Sequence, residues 1–122
     1  MIDITNYDED NVFAKILRNE IPSKKVFEND FVYAFEDINP QAPIHILIIP
    51  KSKYCSFNDF SENAENNLIG DVVRSINKIV KLLKLEDGYR IITNVGSHGC
   101  QEVPHLHFHL LSGKQIGRLV VT

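Results

Sequence analysis

The segment Pro104-His105-Leu106-His107-Phe108-His109-Leu110-Leu111 constrains this chain more than any other. Its histidines alternate with Leu106, Phe108 and Leu110. Alternation is the period of a β-strand with one buried face, because successive side chains point to opposite sides. The apolar set anchors such a strand to a core. The other face then carries His105, His107 and His109 as a row of imidazoles roughly 7 Å apart. A lone histidine is most often a core residue with satisfied nitrogens, but nothing in folding requires three in register. Two chemistries use such a row. Neutral imidazoles chelate zinc, or one ring acts as nucleophile or acid–base group while its neighbours orient it. The spacing is compatible with both.

The flanking sequence gives this strand a setting. Residues 1–10 are polar and acidic, and a loose start is expected. Asn11 is the expected N-cap of a short helix with Val12, Phe13, Ile16 and Leu17 on one face, ended by Pro22. Residues 25–28 and 31–36 read as strands joined through Asn29-Asp30 into a hairpin. Two prolines make 37–43 a constrained loop. The run Ile46-Leu47-Ile48-Ile49 predicts a central strand buried on both faces, with His45 at its start. A polar connection follows, with Ser61 or Asn63 as the expected cap of the main helix. Leu68, Ile69, Val72, Val73, Ile76, Ile79, Val80 and Leu83 form its apolar stripe, and Glu86-Asp87-Gly88 its stop. Residues 89–94 are the next strand. The glycine-bearing loop 95–102 leads into the histidine segment, with backbone N–H groups suited to cradling a phosphate. Gly113 closes that strand. The order predicts an α+β fold, a mostly antiparallel sheet with the long helix across one face.

Composition narrows the function classes. A chain of 122 residues suits a single domain over 1–122 with a C-terminal tail at 114–122. A net charge of −3 gives no basic footprint for nucleic acid. Cys55 and Cys100 form no CxxC pair, which points to a reducing, cytoplasmic setting. The first residues lack a signal-peptide pattern, and no stretch approaches the ~18 apolar residues of a membrane span.

The residues also carry a family resemblance. His105-Leu-His107-Phe-His109-Leu-Leu resembles the histidine-triad signature, in which apolar residues separate the three histidines. The likeness is to the Hint-like, nucleotide-binding branch of that superfamily and runs from about Asn11 to about Gly113. Residues 13–22, 34–43, 45–51 and 88–94 support it in the same order. The resemblance implies a five-stranded antiparallel sheet, a homodimer, a site for purine nucleoside monophosphates of the AMP or GMP type, and no cofactor or metal. It implies hydrolysis of a bond from the α-phosphate to nitrogen or another leaving group. His107 matches the nucleophile, with His45, His105 and His109 around the phosphate. Asp37 matches the carboxylate that binds the ribose hydroxyls, although an Asx turn before Pro40 explains the same residue. Val12, Phe13, Ile16, Phe35, Ile38 and Leu47 match the walls around the base. Asn94 and Gln101 match polar contacts on the phosphate side, and Cys100, Glu102 and Val103 are further expected substrate-binding residues.

The chain departs from that pattern in places. Glu102 stands where the branch usually carries a small hydroxyl residue. The tail lacks a tryptophan seen in some relatives. Asn11 and Ala14 occupy positions where some bacterial relatives bind structural zinc through cysteines. Three other readings remain open from sequence: a nucleotide-binding regulatory module, a dinucleoside polyphosphate hydrolase, and a zinc hydrolase with His105, His107 and His109 as ligands.

Overall fold

The computed structural model describes residues 1–120; Val121 and Thr122, at the end of the expected tail, lie outside the described residues. In chain order the elements are α1 (Val12–Leu17), β1 (Lys25–Glu28), β2 (Val32–Glu36), β3 (Ile44–Pro50), α2 (Phe57–Asn63), α3 (Asn66–Leu82), β4 (Arg90–Ile92) and β5 (Phe108–Ser112). The five strands form one sheet in the order β1-β2-β3-β5-β4, every neighbouring pair antiparallel. This is the expected α+β architecture.

The central apolar strand explains the layering. Along β3, Ile46 and Ile48 face a core that includes Val72, Ile79 and Val80 of α3 and Leu106, Phe108 and Leu110. Leu47 and Ile49 face a second core with Phe13 and Ile16 of α1 and Phe35 of β2. A strand buried on both faces needs no polar alternation, so its sequence is near-continuously apolar. The β1–β2 turn is tied to α3. Asn29 Oδ1 accepts from the N–H groups of Phe31 and Val32, and its amide nitrogen donates to Ser75 Oγ at 2.9 Å.

Several boundaries differ from the sequence reading, each for a local reason. The connection after β3 contains α2, capped by Ser56, whose hydroxyl accepts from Asp59 N–H, while Asp59 accepts from Cys55 N–H at 2.8 Å. The Ser56 hydroxyl is thus an N-cap, and the Asp59 carboxylate ties down the residue before it. Neither Ser61 nor Asn63 caps the long helix, which starts after Glu65 without a side-chain cap. Nor does Gly88 stop it. Lys84, at φ 55°, closes α3, with Leu85 N–H donating to Val80 C=O. Asn19, at φ 62°, closes α1 in the same way, with Glu20 N–H on Lys15 C=O, before Pro22 is reached. Both ends are Schellman motifs with a non-glycine residue in the left-handed position, so no glycine signalled them. Val73, in the expected stripe, is 57% exposed.

At the end of β5, Gly113 has φ +94°, and a Cβ placed there would lie 2.8 Å from Pro43 Cβ. Only glycine permits both that backbone angle and that approach of loop 37–43. No helix of the described residues is long and apolar enough to cross a membrane.

Candidate active site

The alternation survives, but the strand is shorter than expected. Only His109 lies within β5; His105 and His107 precede it in an irregular segment. That segment is held from outside the sheet, by Leu106 N–H on Tyr54 C=O and by Thr93 Oγ1 donating to His107 C=O, both at 2.8 Å. The three imidazoles still share the α1 side. The rings of His107 and His109 are 5.2 Å apart, and Phe13 packs edge-on against His107 at 4.9 Å and His105 at 6.4 Å. The rings therefore approach more closely than the strand repeat alone would place them.

A cavity of about 380 Å³ opens on this face, within the ~300–1,000 Å³ usual for small-ligand sites. Its lining contains His45, His107, His109, Asp37, Phe13, Leu47, Asn94, Cys100, Glu102 and Val103, as expected, together with Asn39 and Gln41. Six expected residues do not line it. Ile16 and Phe35 lie one layer deeper, in the core behind the wall. Val12 and Ile38 point outward, Ile38 at 92% exposure. Gln101 is buried, and both its amide hydrogens are taken by backbone carbonyls. It donates to Cys55 C=O at 2.7 Å and Val103 C=O at 3.0 Å, and accepts from Gly96 N–H at 3.0 Å. This makes it a loop staple rather than a phosphate contact.

His105 is the sixth, and both its ring nitrogens are occupied. Nε2 faces Pro50 C=O at 2.9 Å, so it carries the hydrogen, and Nδ1 faces the Tyr7 hydroxyl at 2.5 Å. Burial pushes its pKa down to about 4, so the ring is neutral. A ring so committed is unavailable to join His107 and His109 around one metal ion, which removes the physical basis of the three-histidine zinc reading.

Backbone groups assign the other tautomers. His107 Nδ1 lies 2.7 Å from His105 C=O and must donate to it, which leaves Nε2 with a free lone pair. Gln41 N–H donates to His45 Nδ1 at 3.0 Å, so neutral His45 carries its hydrogen on Nε2. That Nε2 lies 2.9 Å from His109 Nδ1 and 3.4 Å from Asp37 Oδ2. His109 Nδ1 accepts from it, and neutral His109 keeps its hydrogen on Nε2. Asp37, His45 and His109 have potential ligand atoms within 4.8 Å of one another. A metal on His45 Nε2 would need that proton moved to Nδ1, against the Gln41 N–H. The trio therefore suits proton sharing better than metal binding.

Asp37 forms the Asx turn of one sequence reading and also lines the cavity. Its Oδ1 accepts from Asn39 N–H at 2.7 Å, an Asx turn, while Oδ2 faces His45. Asn39 and Gln41 entered the site through this turn; the two-proline loop immediately before His45 was their only sequence signal. Burial lowers the pKa of His45, His107 and His109, the last to about 4. The carboxylates of Asp37 and Glu102 oppose this at His107. The free site is thus built of neutral imidazoles and carboxylates, with no Lys or Arg among the described lining residues.

This fold and this row of imidazoles define a histidine-triad protein. The HIT domain model matches residues 18–116, and the chain belongs to that family. It is 47% identical over 113 residues to a purine nucleoside phosphoramidase of Escherichia coli, covering 92% of this chain and 94% of that protein. Its structure is similar to a histidine triad protein from Clostridium difficile, with a TM-score of 0.85, 44% identity, and 94% and 100% of the two chains covered. It is also similar to a HIT family hydrolase from Clostridium thermocellum, with a TM-score of 0.83, 40% identity and coverage of 93% and 99%.

Proposed function

We propose that this chain is a nucleotide hydrolase that cleaves purine nucleoside 5′-phosphoramidates and related adenylates at the α-phosphorus, through a nucleotidyl group on His107. The observation that carries the reading is the His107 Nδ1–H bond to His105 C=O. It fixes the tautomer with an Nε2 lone pair in a residue that lines the cavity. A neutral imidazole is a competent nucleophile near neutral pH.

In the first step the Nε2 lone pair forms a bond to phosphorus, and the bond from phosphorus to the leaving amine breaks. The amine leaves with a proton taken from solvent, because neutral His109 could supply one only by becoming an imidazolate; its Nε2–H is instead free to donate a hydrogen bond to a phosphoryl oxygen. In the second step water attacks phosphorus and gives its proton to solvent, the N–P bond breaks, and the nucleoside monophosphate is released with His107 neutral again. With no fixed cation in the described lining, imidazole protons and loop N–H groups meet the phosphate's charge. Asp37 retains lone pairs beyond its Asx turn and suits the two hydroxyls of a ribose.

The test is turnover of adenosine 5′-phosphoramidate by the wild type and by His107→Ala. The variant should lose turnover while binding AMP within tenfold of wild type, and rapid quenching of the wild type should trap nucleotidyl on His107. Retained turnover in the variant, or an adduct on another residue, overturns the mechanism.

A further inference from the structure

The expected loose start does not extend to residue 7. Asn11 Nδ2 donates to Asp8 C=O at 2.7 Å, Arg18 donates to Glu9 C=O at 2.9 Å, and Lys53 pairs with Glu9 at 2.7 Å. These bonds lay the segment across the base of the histidine row. There the half-buried Tyr7 places its hydroxyl 2.5 Å from His105 Nδ1 and its ring edge-on to the imidazole, with centroids 5.5 Å apart. Since His105 Nε2 donates to Pro50 C=O, Nδ1 can only accept, and the Tyr7 O–H is the donor. Burial raises the phenol's pKa, which keeps that proton in place at neutral pH.

We propose that Tyr7 is a positioning residue for His107, acting through His105. The Tyr7 O–H and the Pro50 carbonyl hold the His105 ring from both nitrogens, and the His105 carbonyl in turn holds Nδ1–H of His107. Because His105 and His107 lie outside the strand ladder, sheet hydrogen bonds do not fix this segment. The ring of His105 is its anchor on one side, and Tyr7 locks that anchor. Tyr7 does not line the cavity, so it reaches the reaction only by this route. The inference rests on the assignment of His107 as nucleophile.

The test is Tyr7→Phe, which removes one oxygen and leaves the ring packing in place. With adenosine 5′-phosphoramidate, kcat should fall on the order of tenfold while KM and AMP affinity stay within about threefold, because misplacing a nucleophile costs rate rather than binding. Nitrogen NMR of the imidazoles should show the His105 Nδ1 signal leaving its hydrogen-bonded acceptor position. A variant with lower Tm but unchanged kcat per folded molecule makes Tyr7 a brace only and overturns the proposal. Unchanged kcat with raised KM overturns it equally. If instead His107→Ala keeps its turnover, the nucleophile assignment is what fails.

Discussion

Replacing Gln101 separates the two roles that sequence and structure give it. Its side chain makes three hydrogen bonds, to Cys55 C=O, Val103 C=O and Gly96 N–H, in a residue only 5% exposed. Gln101→Ala strips all three groups of that partner. A buried polar group left unpaired costs about 1–3 kcal/mol. The loop lies near the surface and water can enter part of the space, so the sum is not realised in full; a loss of about 3 kcal/mol is expected. For a chain of this length that corresponds to a Tm lower by roughly 10 °C. Gln101→Glu should be no better, because it keeps an acceptor for Gly96 N–H but turns an oxygen toward two carbonyls. The assays are urea denaturation and AMP titration of each variant under folding conditions. Stability should fall while AMP affinity stays within a few-fold. A stability loss under about 1 kcal/mol, with AMP affinity down by more than tenfold, would refute the staple and restore the phosphate contact.

Other outcomes follow from the same geometry. The reactive form of His107 is neutral and its pKa lies below the usual value, so kcat/KM should hold as pH falls past 6.5 and drop only below it; an acid limb centred at or above 6.5 contradicts the burial argument. His105 titrates near 4 when folded and near 6.5 when unfolded, so stability is complete above 6.5 and is lost as pH falls toward 4, by on the order of 3 kcal/mol from this group; pH-dependent urea midpoints measure it. Edge strand β4 exposes Ile91 beside Tyr89, and we propose that two copies pair there; light scattering should give a dimer for wild type and a smaller species for Ile91→Arg, and a wild-type monomer at micromolar concentration excludes the pairing. Glu102 adds a carboxylate to a lining without Lys or Arg, so Glu102→Ser should raise kcat/KM for a diadenosine polyphosphate relative to a phosphoramidate; a ratio that stays fixed makes Glu102 a bystander.

What could be read from sequence was whatever depends on neighbours along the chain. The period of residues 105–111, the apolar run of β3 and the stripe of α3 each report a local pattern, and the sheet, both cores and the imidazole face followed from them. The fate of His105 depended on Tyr7, 98 positions away in sequence, and no pattern links the two. Gln101 was opaque for the same reason: a glutamine in a polar loop looks identical whether it faces a ligand or Cys55, 46 positions away. Helix α2 differs, because its signal is local: Ser56 and Asp59 stand at N-cap spacing inside the polar connection. Lys84 gave no warning of the helix end, since the left-handed position it fills is one glycine usually marks.

The close approach of Gly113 and Pro43 sets the tolerance of the site from behind. Loop 37–43 carries the carboxylate that faces His45 and the backbone N–H that dictates its tautomer. Its rear is seated against a single missing side chain at the far end of the histidine strand. Any residue larger than glycine at 113 would act as a shim under that loop, tilting Asp37 and Gln41 together while leaving every cavity residue chemically intact. Position 113 thus constrains the His45 side of the cavity from outside it, since the residue is not among those that line the cavity.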